Sequence, residues 1–373
     1  MYTPAFIGKK DILIVYDRIG LIDDAIDTEI FPELEVVNAE GKLVLPGFVD
    51  QHVHITGGGG EGGFATRISP LHISDLVQCG VTTVVGILGT DGITRSLEDL
   101  YAKAKGLEEE GISTYIYSGS YQFPIKTLTG SIERDMVLID KVIGVGEIAI
   151  SDHRSFEITE NELSRIGAAV RNGGMISGKS GVVHLHIGDG QKGLEVVFNV
   201  VKNTQIPIRH FVPTHVNRNR RVLEQALEFA RMGGFIDITA GFEKDELCPD
   251  CIPAHEALEY ALSYGVDENL VSMSSDGNGS IPVFDGSRKL KNIKAGECSV
   301  LLKDIRKAVI DLNIPLEKAL KSVTCNPARI LNIDKGCIEE GKYADIIVAD
   351  SKLNIDKVYA RGQRLVNNGN IMS

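Results

Sequence analysis

Eight short apolar runs spaced through residues 45–276 constrain the fold of this chain more than any other feature. They are LPGFVDQHV (45–53), TTVVGIL (82–88), STYIYS (113–118), VIGVGEIAI (142–150), VVHLHI (182–187), FVPTHV (211–216), FIDIT (235–239) and VSMSS (271–275). Each is short and rich in β-branched residues, as strands of a buried parallel sheet should be. Helical patterns lie between them. Val222, Leu223, Ala226, Leu227 and Ala230 share one stripe, and Leu258, Ala261 and Leu262 another. Leu301, Leu302, Ile305, Val309 and Leu312 form a third after the last run. Thr159 and Glu162 read as a capping box opening a helix near 160–172. Eight strands, each followed by a helix, predict an α/β fold of the (β/α)8 TIM-like barrel type. An open doubly wound sheet is the alternative, and eight units favour closure.

The two ends differ from the middle. Residues 11–23 and 35–45, and again 344–350 and 356–366, have the pattern of hairpin strands. Neither end can bury a face alone. They are expected to pair as a small β-sandwich domain formed from both chain termini, residues 1–46 plus 335–373, with the barrel at 47–334. A length of 373 residues suits that division. With 39 Lys+Arg against 51 Asp+Glu the net charge is −12. This argues against a nucleic-acid binder, which needs a basic face, and against a polybasic membrane anchor. No run approaches the roughly 20 apolar residues that span a bilayer. The opening MYTPAFIGKKDILIVYD puts charges where a signal peptide needs its apolar stretch, so a cytoplasmic location is expected. Six Cys over this length make no disulfide framework.

Polar residues gather at the ends of the runs. His52 and His54 close the first, and alternation puts both imidazoles on one side of the strand, aimed into the barrel. Two neutral imidazoles at that spacing suit a first-row metal. Glu147 lies on the fourth run, His186 near the end of the fifth, His215 on the sixth, and Asp276 follows the eighth. Barrel enzymes build their sites at C-terminal strand ends, and a metal supplies partners to buried polar groups that are otherwise costly. His184 shares a face with His186 and competes for the ligand role. The turn Gly188-Asp189-Gly190 favours His186, the nearer to the strand end. His72, His153, His210 and His255 lack this convergence.

Residues 57–63, GGGGEGG, are not a phosphate loop, because no Lys-Ser/Thr follows and no helix opens directly. Glu61 within them presents a single carboxylate suited to a cationic group such as an α-ammonium. Arg154, in SDHRS, and Arg218, in THVNRNR, carry guanidinium forks that match carboxylates. Together the three suggest an amino-acid-like, zwitterionic ligand. Tyr121, after the third run, can offer its hydroxyl to a carbonyl oxygen. Cys248-Pro-Asp-Cys251 reads as a metal or redox pair or as neither, since no second CxxC exists.

Taken together, these residues resemble the amidohydrolase superfamily and, within it, the isoaspartyl (β-aspartyl) dipeptidases. The resemblance covers nearly the whole chain. It rests on PGFVDQHVH (46–54) running into GGGGEGG, SYQFPIKTLTGS (120–131), SDHRS (151–155) and PTHVNRN (213–219). IDITAGF (236–242), SSDGNGS (274–280) and GKYADIIVAD (341–350) complete it. It implies a metallo-dipeptidase with two Zn2+ per subunit. His52 and His54 would hold one ion, His186 and His215 the other, and Asp276 would bind metal and act as general base and acid. Tyr121 would polarise the scissile carbonyl, and Glu61 would take the α-ammonium. Arg218, Ser280, Thr90 and the backbone near Gly59 would hold the isoaspartyl α-carboxylate, and Arg154 the carboxylate of the leaving amino acid.

One departure stands out. Better-known members bridge the zincs with a carboxylated lysine on the fourth strand. VIGVGEIAI contains no Lys, and counting back from SDHRS puts Glu147 at that position. A site bridged by Glu147 and a hydroxide, without carboxylated lysine, is therefore expected. The expected ligand is a small dipeptide, with no nucleic acid or membrane partner. The resemblance also implies a homo-oligomer, an octamer. Two rival readings are a dihydroorotase- or hydantoinase-like cyclic amidohydrolase, and a non-catalytic scaffold on the same fold. The first has little use for Glu61. The second would have lost its ligands.

Overall fold

The computed structural model describes residues 1–31, 33–244, 248–284 and 290–372. The eight runs form eight parallel strands. They are β4 (Phe48–Val53), β5 (Val81–Gly86), β6 (Ser113–Ser118), β7 (Val142–Ile150), β8 (Val182–Ile187), β9 (Phe211–Thr214), β10 (Ile236–Thr239) and β11 (Val271–Ser274). β4 to β9 form one parallel sheet in chain order, and β10 pairs with β11. The sheet curls into a TIM-like barrel. Its two seams are closed largely by other means than strand ladders. At the β9–β10 seam the Asn217 side chain donates to Thr239 O (2.9 Å) and accepts from Thr239 N (2.9 Å). At the β11–β4 seam a single bridge joins Val53 to Gly277, and His54 N donates to Gly277 O (2.9 Å). Both seams lie beside the polar strand ends, so the groups that close the barrel also hold the site.

Helices cover the outside. Thr159 caps Glu160–Ser177 with the expected box, its hydroxyl accepting from Glu162 N while the Glu162 carboxylate takes Thr159 N. That helix runs past residue 172 to Gly178, whose φ of 74° ends it in the left-handed conformation. Arg220–Arg231 buries Val222, Leu223, Ala226, Leu227 and Ala230, as the stripe predicts. The third stripe is only partly helical. Val300–Ile310 stops before Leu312, which packs against the core from the following loop. The rule of one helix after each strand also breaks once. β11 leads first into a hairpin, β12 (Ser280–Phe284) and β13 (Leu290–Ala295), at the barrel mouth.

The termini meet as expected. β1 (Asp11–Val15) and β2 (Arg18–Asp23) form one hairpin. β3 (Leu43–Pro46), β14 (Ile346–Ala349), β15 (Ile355–Ala360), β16 (Gln363–Asn367) and β17 (Asn370–Ile371) form an antiparallel sheet ordered β17-β16-β15-β14-β3. Ile19 N donates to Lys342 O (2.9 Å) and Ala344 N to Asp17 O (2.9 Å), tying the hairpin to the C-terminal chain. Met1, Ile19, Ile338, Ala344, Ile346 and Val348 fill the space between. The expected strand at 35–45 survives only as β3. Ahead of it Glu40 N bonds the Asn38 side chain (2.8 Å) and Lys42 N bonds Ala39 O (3.0 Å). These local bonds consume the groups a ladder would use. Among the described residues no helix is long and apolar enough to cross a membrane.

Candidate active site

Three barrel strands, β4, β7 and β8, and three residues just past the ends of β4, β9 and β11 bring six side chains to one point. Glu147 on β7 is the centre, buried to 1% exposure. Its Oε1 lies 2.5 Å from His186 Nδ1 on β8 and 3.2 Å from His215 Nε2 after β9. Its Oε2 lies 3.3 Å from His52 Nε2 and 3.8 Å from His54 Nε2, at the end of β4. One carboxylate therefore faces two histidine pairs, one with each oxygen. Asp276 Oδ1 closes the first pair at 3.3 Å from His52 Nε2 and 3.2 Å from His54 Nε2. Both His215 (φ 59°) and Asp276 (φ 51°) sit in the left-handed region. That conformation costs a residue with a Cβ about 1–3 kcal/mol, a strain characteristic of functional positions.

The donor set fits divalent cations. His52 Nε2, Glu147 Oε2 and Asp276 Oδ1 are buried without a hydrogen-bond partner, and all three face the same small space. The ligand atoms of His52, His54 and Glu147 lie within 4.8 Å of one another, as do those of Glu147, His186 and His215. Burial opposes ionisation of Glu147, but His52 and His186 outweigh it and hold the carboxyl well below its usual range. Asp276 is likewise lowered against burial, by His52 and His54. Burial alone would keep His52 neutral, yet Glu147 and Asp276 raise its pKa, so the cluster attracts positive charge. His215 is lowered to about 3 by burial and by His186, a neutral imidazole ready to ligate.

Supporting bonds aim the imidazoles. His215 Nδ1 lies 2.7 Å from Thr239 Oγ1, leaving Nε2 towards Glu147. His52 Nδ1 lies 2.8 Å from His184 Nε2. His184 is therefore not the rival ligand that its spacing allowed. It sits two residues deeper on β8, held neutral by burial and then by His52, and it orients His52 instead. His186 Nε2 lies 3.0 Å from Asp152 Oδ2. The other histidines lie elsewhere, with His72 capping a helix, His153 exposed, His210 bonded to Gly181 O and His255 paired with Asp304.

The mouth carries the remaining residues. Tyr121 OH points inward, 2.6 Å from His186 Nδ1 and 3.3 Å from Glu147 Oε1. Arg154 forks onto Asp152 through Nε and Nη2, both at 2.9 Å, and its Nη1 lies 3.8 Å from Glu61 Oε1. Ser280 Oγ accepts from Gly59 N (2.7 Å) and lies 3.1 Å from Glu61 Oε1. Gly59, at φ 79°, has no room for a side chain, since a Cβ would meet Thr66 O at 2.3 Å. Arg218 donates to Ile187 O (3.1 Å) and lies over the Phe242 ring. Thr90 follows β5 in a loop where a Cβ at Gly89 would meet the His54 ring at 2.8 Å, but its side chain makes no hydrogen bond among the described residues. Cys248 and Cys251 form a disulfide, so neither offers a free thiolate to a metal.

Three contributors escape sequence reasoning. Arg95 is buried and donates to Thr56 O, Gly58 O (2.7 Å) and Ile68 O (2.9 Å), clamping the base of the glycine loop. Asn217 closes a seam, and Asp152 holds Arg154 and His186. The only local signal for the last two is their position inside the motifs PTHVNRN and SDHRS.

An eight-stranded barrel with histidines and carboxylates at its C-terminal strand ends defines a hydrolase of the metal-dependent type. The amidohydrolase family pattern matches residues 43–366, and the chain belongs to that family. It is 48% identical to the β-aspartyl dipeptidase of the thermophilic, keratin-degrading Fervidobacterium islandicum AW-1, solved with a β-Asp-Leu dipeptide. That likeness covers 100% of this chain and 96% of the other, with a TM-score of 0.92. A dihydroorotase of Aquifex aeolicus is 24% identical over 92% of this chain and 85% of its own length. The D-hydantoinase of a Thermus species, 17% identical, shares the fold over 98% of this chain and 93% of its own, with a TM-score of 0.71.

Proposed function

We propose that the protein is a binuclear zinc dipeptidase that hydrolyses the β-aspartyl (isoaspartyl) peptide bond of dipeptides, releasing aspartate and an amino acid. The observation that carries this is the pairing of two features. Glu147 divides its oxygens between two histidine pairs, and the mouth above sets Glu61 against Arg154. The first suits two cations; the second suits a zwitterion. The 48% identity to a β-aspartyl dipeptidase supports the same substrate.

When bound, the cations would acidify a shared water and polarise the substrate carbonyl. Asp276 keeps 28% of its side chain exposed towards the mouth, where it takes the proton as water attacks the β-carbonyl. Tyr121 donates from its hydroxyl to the oxygen as charge develops there. Its pKa is pushed up by burial and by Glu147, so it stays a donor. Asp276 then returns the proton to the leaving amine. Glu61 receives the α-ammonium of the substrate. Arg218, Ser280, Thr90 and the Gly59 backbone hold the isoaspartyl α-carboxylate, and Arg154 holds that of the leaving residue.

The cyclic-amide reading has the distant dihydroorotase relatives behind it, but a neutral or anionic ring has no use for the Glu61 carboxylate. The scaffold reading fails to account for three orphaned atoms, His52 Nε2, Glu147 Oε2 and Asp276 Oδ1, which are costly to keep without a ligand. The test is metal analysis of the purified protein with turnover of β-Asp-Leu, dihydroorotate and hydantoin side by side. Preferential hydrolysis of either ring would sink the dipeptidase reading.

A further inference from the structure

Asp152 is buried to 7% exposure, yet the mechanism above gives it no task. Its four short contacts are divided between two residues of different purpose. Oδ1 accepts from Arg154 N (2.8 Å) and Nε (2.9 Å). Oδ2 accepts from Arg154 Nη2 (2.9 Å) and faces His186 Nε2 at 3.0 Å. The backbone around it is fixed. Ser155 N donates to Asp152 O (2.9 Å) and Gly190 N to Ser151 O (2.7 Å). At Gly188 a Cβ would lie 2.6 Å from both Cα and Cβ of Asp152. The turn after β7 and the turn after β8 are thus pressed together with this carboxylate between them.

Two consequences follow from hydrogen-bond chemistry alone. A neutral imidazole has one N–H and one lone pair. A carboxylate accepts only, so the closer contact of Nε2, to Asp152 at 3.0 Å rather than to Arg154 Nη2 at 3.4 Å, favours the hydrogen on Nε2 of His186 and the lone pair on Nδ1. Nδ1 is the nitrogen that lies beside Glu147 Oε1. The guanidinium is oriented by the same carboxylate. With Nε and Nη2 forked onto Asp152, Nη1 is the edge left facing Glu61 and the mouth.

We infer that Asp152 is a positioning residue that ties the metal ligand His186 to the carboxylate clamp Arg154, so metal affinity and recognition of the leaving residue's carboxylate depend on one side chain. The Arg154 half rests on the dipeptidase reading; the His186 half does not. In this arrangement a substrate lacking a C-terminal carboxylate loses the contact with Arg154, while the metal half of the coupling is unaffected.

The experiment uses the full chain with Asp152→Asn, a near-isosteric change, and Asp152→Ala. Thermal melting first establishes that each variant folds. Zinc affinity of the metal-free protein is then read by competition with a chromophoric chelator. We expect a weakening on the order of 10–100-fold, the usual effect of losing a carboxylate behind a metal-bound histidine. Next, KM is compared for β-Asp-Leu and its C-terminal amide. Asp152→Asn should raise KM for the acid and leave that for the amide much less changed, which general loosening of the fold would not do. Native zinc affinity in a folded Asp152→Asn protein overturns the tie to His186. Equal KM changes for acid and amide overturn the tie to Arg154. If the native protein does not hydrolyse β-Asp-Leu, the dipeptidase reading fails, and the zinc measurement still decides the His186 half.

Discussion

Nε2 of His52 and Oε2 of Glu147 face each other across 3.3 Å, both buried and neither with a hydrogen-bond partner. An unsatisfied buried polar group costs about 1–3 kcal/mol. A cation held between them would supply the missing partner to both. Glu147 carries that carboxylate in its own side chain, whereas a carboxylated lysine forms by reaction with CO2. Metal-free protein should therefore regain activity with zinc alone in bicarbonate-free buffer. Glu147→Ala should lose bound metal as well as rate, since two cations a few ångströms apart repel without the shared anion. Two metals and near-native turnover in Glu147→Ala would refute the bridge.

Glu61 stands at the mouth, 3.1 Å from Ser280 Oγ and 3.8 Å from Arg154 Nη1. If it reads an α-ammonium, Glu61→Gln should cut kcat/KM by about tenfold or more, about 1.4 kcal/mol. N-acetylated β-aspartyl dipeptides should be poor substrates of the native enzyme. Equal turnover of acetylated and free dipeptides removes this role from Glu61.

Arg154→Met and Arg218→Met should each cost about 2–4 kcal/mol in kcat/KM, because each leaves a substrate charge without its fork. The two differ in what rescues them. With a dipeptide amide, which lacks the C-terminal carboxylate, Arg154→Met should matter less and Arg218→Met as much as before. Equal losses for acid and amide in Arg154→Met would contradict the assignment.

Tyr121→Phe removes the hydroxyl 2.6 Å from His186 Nδ1 while keeping the ring. The expected result is a fall in kcat of about 10²–10³-fold, the cost of one oxyanion donor, with metal content preserved. An unchanged kcat would show that Tyr121 only packs.

Away from the site, Glu108 pairs with Lys141 and Lys105. Burial alone would raise its pKa, but the two lysines bring it below 4.5. A depressed carboxyl pKa stabilises the fold above the unfolded value and loses that contribution as pH falls through the folded value. Glu108→Gln should therefore lower Tm near pH 7 and narrow the gap to native at about pH 3. A gap independent of pH would mean the ion pair contributes nothing.

Much of this molecule is written locally. Short apolar runs rich in β-branched residues mark β7 and β8 to the residue, and the Thr159 capping box marks where its helix begins. The pair His52-Val53-His54, together with Glu147, His186, His215 and Asp276 at strand ends, is legible because a barrel gathers its C-terminal ends whatever the loops do. That the fourth run holds Glu147 and no Lys is a statement about one stretch, and the sequence alone makes it.

Depth and convergence are not local. Alternation puts His184 and His186 on one face, and only the curvature of the barrel decides that His184 reaches His52 while His186 reaches Glu147. The hairpin of β12 and β13, the loss of a strand ahead of β3, and the Arg95 clamp depend on which backbone groups other segments satisfy. Asp152 is the clearest case. In the sequence it is one acid in a polar turn, and its meaning arises only because β7 and β8 deliver Arg154 and His186 to one carboxylate, where they share Oδ2. Short-range periodicity fixes which way a side chain faces. Which partner it meets there is decided by chain folded from far away, and no local pattern encodes that.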